Sequence, residues 1–143
     1  MIVKDIMDKN VQKTEPGINA REAARMMTDS SEGYILIVEN GKLIGIVTED
    51  DITSKVVAEG RHPHEVKVED IMAKKVQSIG PGESIEDAAS MMTEKKIKKL
   101  PVVEDKKLLG IVTAEDMIAS EPKMMKHLSE LVLFARKPQK MAG

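Results

Sequence analysis

VKDIM at residues 3–7 returns as VEDIM at 68–72, and GIVTEDDI at 45–52 returns as GIVTAEDM at 110–117. Sliding the chain by 65 positions aligns residues 3–52 with 68–117 without a gap, and 23 of the 50 pairs are identical. Chance does not produce that agreement, so the chain is an internal duplication. A period this long, present in only two copies, lies outside the stacked solenoid classes. The duplication predicts a pseudo-two-fold pair sharing one core.

Each copy spells the same elements. Pro16-Gly17 and Pro81-Gly82 read as turns. INAREAARMMTD and ESIEDAASMMTE carry apolar residues at helical spacing, with Asn19 and Ser84 as N-caps and Ser84 with Asp87 as a capping box. YILIVENGKLIGIV is two apolar runs around Asn40-Gly41, a strong hairpin signal, and LPVVEDKKLLGIV is its counterpart with a looser turn. A second helix is expected to start at Thr48 and at Thr113. The fold class is therefore α/β in the broad α+β sense: two tandem β-α-β-β-α repeats. Repeat one spans 1–60, a polar linker 61–67, repeat two 68–120, and a C-terminal amphipathic helix with a basic tail 121–143. In that last segment Ser120 is the expected cap and Pro122 suits the first turn. Met124, Met125, Leu128, Leu131, Val132 and Ala135 form one apolar stripe.

Composition removes several functions. With 41% hydrophobic and 32% charged residues the chain is expected to be globular and cytoplasmic, with no run long enough to span a membrane. It contains no cysteine, which excludes disulfides, thiol nucleophiles and thiolate metal sites. A net charge of −2 predicts no general affinity for nucleic acid. Tyr34 and Phe134 are the only aromatic residues against eleven methionines. The core must be aliphatic, and any planar ligand must lie mostly between aliphatic side chains and backbone. No Walker loop, G-x-S-x-G or other catalytic signature is present, so no enzyme is expected.

The repeated Thr-x-x-Asp carries the chemistry. Thr48 and Thr113 stand where a strand ends and a helix begins, where free N–H groups favour an anion. Asp51 and Asp116 follow one turn on, and an ionised carboxylate there can accept both hydroxyls of a ribose. Thr-x-x-Asp is equally a capping box, and taken alone capping is the commoner role.

The two DIM starts, the LPVV of the second copy, and GIVTEDDI with GIVTAEDM resemble the CBS-domain pair, or Bateman module, over residues 1 to about 120. The resemblance implies two repeats packed through their sheets with pseudo-two-fold symmetry, and two clefts for adenosine ligands such as AMP, ADP, ATP or S-adenosylmethionine. It implies a regulatory module acting on a separate, unidentified protein, without a cofactor of its own, of the stand-alone type. It places Asp51 and Asp116 on ribose beside Thr48 and Thr113. The purine pocket falls to Lys13, Thr14, Tyr34, Ile35 and Leu36 in copy one, and to Ser78, Ile79, Lys99, Leu100 and Pro101 in copy two, where Lys98 and Lys99 place positive charge beside the cleft. It also implies a homodimer through helices, with the tail stripe contributing.

The copies differ at these positions. Leu36 stands where copy two has Pro101, and Gly33-Tyr34 where it has Lys98-Lys99. The clefts are expected to be unequal, with the Asp116 site the tighter for phosphorylated ligands and Tyr34 available to stack on adenine in the other. Lys95, Lys96, Lys98 and Lys99 read either as a solvated helix end or as phosphate attraction. Nucleic-acid binding through them and the tail is the weaker alternative, as is a scaffold with vestigial clefts. His62 and His64 lack a facing geometry and thiolate support, so no metal is expected there.

Overall fold

The structure is a computed structural model and describes residues 1–134. In chain order its elements are α1 (Val3–Ile6), β1 (Lys13–Thr14), α2 (Ala20–Ser30), β2 (Tyr34–Glu39), β3 (Lys42–Thr48), α3 (Glu49–Ile52), α4 (Val68–Ile71), α5 (Ile85–Lys95), β4 (Lys99–Glu104), β5 (Lys107–Thr113), α6 (Ala114–Ser120) and α7 (Met125–Ser129). A π-type turn, Thr53–Val57, continues α3. The mixed α/β character expected from the repeats is what forms.

The chain divides into two compact units, and these are not the two sequence repeats. One unit holds Val11–Val76 with Asp105–Leu108; the other holds Met1–Asn10, Gln77–Glu104 and the chain from Leu109 onward. The leading DIM segment of repeat one thus belongs to the unit built on repeat two. The DIM segment of repeat two belongs to the unit built on repeat one.

In the Val11–Val76 unit, β1 runs parallel to β2 with Lys13 opposite Leu36, and β2 runs antiparallel to β3 with Tyr34 opposite Thr48. The hairpin turns at Asn40 and Gly41, both with positive φ, the two-residue turn whose twist suits paired strands. Helix α2 starts where expected: the Asn19 side-chain oxygen accepts the Glu22 N–H at 2.9 Å. The core buries Ala23, Met27, Ile35, Val47 and, from the second DIM segment, Val68 and Ile71.

In the other unit, β4 and β5 are hydrogen-bonded neighbours, and the expected first strand shrinks to a parallel bridge of Ile79 with Val102. The turn between β4 and β5, whose residues Asp105–Leu108 belong to the Val11–Val76 unit, is no looser than its counterpart: Asp105 and Lys106 also both take positive φ. Ser84 caps α5 by accepting the Asp87 N–H at 3.0 Å. The capping box expected there is only half made, for Asp87 gives no return bond, and the antiparallel bridge of Ile2 with Ser84 steadies that entry instead. The core buries Val3 of the first DIM segment with Met92, Leu100, Val112 and Met117. Each unit therefore has its own aliphatic core, where the sequence predicted one shared core.

The repeated glycine explains the repeated methionine. A Cβ on Gly110 would stand 2.7 Å from the Asp8 carbonyl oxygen and 3.1 Å from the Met7 sulfur. A Cβ on Gly45 would overlap the Met72 side chain and stand 3.1 Å from the Ala73 carbonyl oxygen. The DIM segment lies directly on the strand that ends in GIVT, so neither strand has room for a side chain at that position.

The tail corrects two expectations. Ser120 ends α6 and caps nothing; a 3₁₀ turn, Pro122–Met124, leads into α7 with Pro122 in its first turn. Met124, Leu128 and Leu131 are buried in their own unit's core, and Val132 packs against it. Among the described residues of the stripe only Met125 is exposed, at 41%, so these residues no longer supply a reason for self-association. Ala135 and the basic tail lie outside the described residues. Within them no helix is long and apolar enough to cross a membrane.

Candidate functional site

Tight β-sheet register gathers the copy-one residues. Tyr34 faces Thr48 across the β2–β3 pair, and Lys13 and Thr14 lie against Leu36 and Ile37. The Glu49 N–H donates to the Gly33 carbonyl at 3.0 Å, which places the start of α3 beside the start of β2. Ile35 and Leu36 are fully buried, so they offer packing and backbone and no free side chain. Lys13 is exposed and Tyr34 half-buried.

Copy two repeats the arrangement in its own unit. The Ala114 N–H donates to the Lys98 carbonyl at 2.9 Å, and the Ile79 N–H to the Pro101 carbonyl at 3.0 Å. Thr113 and Asp116 are thereby held beside Lys98–Pro101, with Ser78 and Ile79 alongside. Leu100, Pro101 and Ile79 are buried; Ser78, Lys98 and Lys99 are half-buried.

The two Thr-x-x-Asp motifs are wired differently. In copy one the capping box is closed in both directions. Thr48 Oγ1 accepts the Asp51 N–H at 3.3 Å, and Asp51 Oδ2 accepts the Thr48 N–H at 2.9 Å and its hydroxyl at 3.2 Å. Asp51 Oδ1 pairs with Lys55 Nζ at 3.0 Å. In copy two Thr113 Oγ1 accepts the Asp116 N–H at 3.0 Å, and among the described residues the Asp116 carboxylate has no partner. Both aspartates are half-buried. One motif is closed on itself; the other presents an unpartnered carboxylate at the same turn.

Two contributors were not foreseen. Lys55 stands four residues after Asp51, a helical ion-pair spacing that the sequence did show. Gln12 donates its side-chain amide to the Tyr34 carbonyl at 2.9 Å, tying β1 to the first candidate pocket. The histidines 62 and 64 sit with ring centroids 5.6 Å apart, and among the described residues no three His, Cys, Asp or Glu side chains gather as a metal site would need.

Comparison with known proteins agrees with this arrangement. The model of the CBS domain matches twice, over residues 3–58 and 68–122. The CBS domain-containing protein YhcV of Bacillus subtilis is 34% identical over 119 residues, 83% of this chain and 84% of that one. An uncharacterised protein of Methanopyrus kandleri, MK0525, is 35% identical over 130 residues, and the match spans 90% of this chain but only 66% of that longer one. Among solved structures, the CBS domain pair of protein MJ0100, in complex with 5′-methylthioadenosine and S-adenosyl-L-methionine, is similar at 32% identity and a TM-score of 0.70. That match covers 86% of this chain and 97% of that one. With both repeats matched and both Thr-x-x-Asp turns in place, the chain belongs to the CBS-domain family and carries a CBS-domain pair.

Proposed function

We propose that the chain is a regulatory module that binds an adenosine-containing ligand and acts on a separate protein. The observation that carries this reading is Asp116: half-buried, its backbone N–H held by the Thr113 hydroxyl, and its carboxylate left without a partner among the described residues. A half-buried carboxylate gains from accepting hydrogen bonds, and a ribose cis-diol offers two donors at the spacing of its two oxygens. The adenosine ligands bound by the MJ0100 pair have such a ribose. The backbone of Leu100 and Pro101 and the edge of Ile79, 5% exposed, border the place for a purine, and Lys98 and Lys99 carry positive charge for a phosphate. S-adenosylmethionine and AMP are both within this chemistry, and Lys98–Lys99 favour the phosphorylated ligand.

The test is a thermal-shift screen with AMP, ADP, ATP, NAD and S-adenosylmethionine, since a ligand that binds only the folded state raises its stability. Calorimetry follows on Asp116→Ala with the best of them. Loss of a charged acceptor costs about 1.5–3 kcal/mol, or roughly ten- to a hundred-fold in affinity. Unchanged affinity in that variant overturns the assignment of Asp116.

A further inference from the structure

We propose that Lys55 is a built-in occupant of the first Thr-x-x-Asp motif, so that the chain takes its adenosine ligand on Asp116 alone; this rests on the ligand class proposed above. A carboxylate has about four acceptor positions. On Asp51 three hydrogen bonds are already accepted, two from Thr48 and one from the Lys55 ammonium at 3.0 Å. The ammonium is itself anchored elsewhere: Lys55 Nζ donates to the Ile71 carbonyl at 2.9 Å.

That carbonyl is the last of α4, the short helix of the second DIM segment. The lysine therefore ties the end of β3, the turn after α3 and the DIM segment into one knot inside the Val11–Val76 unit. A ribose arriving at Asp51 meets a carboxylate already bound to a full positive charge. To replace that charge it offers neutral hydroxyls, whose bonds to the carboxylate are ionised on one side only, whereas the Lys55–Asp51 pair is ionised on both.

Copy two has no such device. The residue 65 positions after Lys55 is Ser120, whose side chain is too short to reach back one turn to Asp116, and it ends α6. The same four-letter motif thus acts as a structural tie in copy one and as an acceptor in copy two. Lys55 is a specificity-determining residue that sets how many ligands the chain binds.

Two measurements on the whole chain test this. The first needs no ligand: chemical denaturation of Lys55→Ser, Asp51→Ala and the double variant. The tie predicts that each single change lowers the unfolding midpoint and that the double variant loses less than the sum of the two, since the Asp51–Lys55 pair is lost only once while the Lys55 bond to the Ile71 carbonyl is lost whenever Lys55 is changed. Additive losses overturn the tie.

The second is calorimetry with AMP, adenosine and S-adenosylmethionine as separate probes. The expected result is one site per chain in the unchanged protein and in Lys55→Arg, one site weakened roughly ten- to a hundred-fold in Asp116→Ala, and two sites in Lys55→Ser. Two sites in the unchanged protein, or one site in a Lys55→Ser protein whose tie is broken, overturns the role of Lys55 in excluding ligand. No binding of any probe by any variant overturns the adenosine reading and the exclusion with it, while the denaturation series still decides whether the tie exists.

Discussion

The two copies of the repeat agree in 23 of 50 positions and still make unlike ends of the molecule. In copy one the helices α2 and α3 leave an open cleft of about 410 Å³ lined by Ala24, Met27, Thr28, Ser31, Glu49, Ile52 and Thr53. Copy two keeps a cleft of about 380 Å³ on α5, lined by Ala89, Thr93 and, from the tail, His127, but Met117, the counterpart of half-buried Ile52, is buried where Met124, Leu128 and Leu131 of the tail pack into the same core. Copy one closes its Thr-x-x-Asp with Lys55; copy two leaves Asp116 open. After duplication the backbone plan is kept, because the DIM segment, the glycine under it and the helix caps depend on one another. Side chains outside that set are free to diverge, and they divide the labour: copy one is tied, copy two is filled from behind and presents its acceptor.

The largest break in this comparison is expected at Leu128. It is fully buried and belongs to an element copy one lacks. Leu128→Ala leaves a cavity in an aliphatic core, and such changes cost about 2–5 kcal/mol. Urea denaturation should show the midpoint fall by that loss divided by the slope, with the slope itself unchanged. A loss below about 1 kcal/mol, typical of a surface site, would mean that the tail helix does not complete the second core.

The glycines give the next effect, and they sharpen the comparison because the copies are nearly superimposable there. Gly110→Ala must push against backbone, the Asp8 carbonyl at 2.7 Å, whereas Gly45→Ala meets mainly the movable Met72 side chain. Overpacking of this kind costs roughly 1–3 kcal/mol. Gly110→Ala belongs at the upper end and Gly45→Ala at the lower. Hydrogen exchange should also report which DIM segment loosens: the amides of Asp8 and Ile111, which bond each other's carbonyls, in the first case, and those of Ile46 and Ala73 in the second. Equal losses would show that side-chain yielding does not distinguish the two contacts.

Much of this was legible in the sequence, for a physical reason. Helix caps, hairpins and the Thr-x-x-Asp turns are local, and Asn19, Ser84, Asn40-Gly41, Thr48 and Thr113 sit where their short-range chemistry places them. What was hidden is long-range. An offset of 65 residues says that two DIM segments exist and not which core each joins, and apolar Val3 and Val68 fit either. The exchange of leading segments is visible only once Met7 is found over Gly110 and Met72 over Gly45. The tail stripe was read correctly as apolar, but periodicity cannot say whether a stripe meets its own chain or another. The inequality of the clefts was expected from Lys98 and Lys99; the stronger contrast, Lys55 on Asp51, was written at i,i+4 and went unread beside the capping box.

The smallest expected effect lies at the hairpin tips. Both turns place two consecutive residues at positive φ, Asn40 and Gly41 in copy one, Asp105 and Lys106 in copy two. Asparagine, aspartate and glycine tolerate that region; lysine, at φ 69°, does not. A side-chain-bearing residue there costs roughly 1–2 kcal/mol against the right-handed form. Lys106→Gly removes that strain but also frees the unfolded chain, which offsets it by about 0.4–1 kcal/mol. The net gain expected is about 0.5 kcal/mol, and Gly41→Lys should lose a similar amount. Neither change touches a candidate ligand residue, so affinity for any adenosine ligand should hold while the denaturation midpoints move in opposite directions. If Lys106→Gly is neutral or destabilising, the positive φ of Lys106 carries no strain, and the two tips are equivalent despite their sequences.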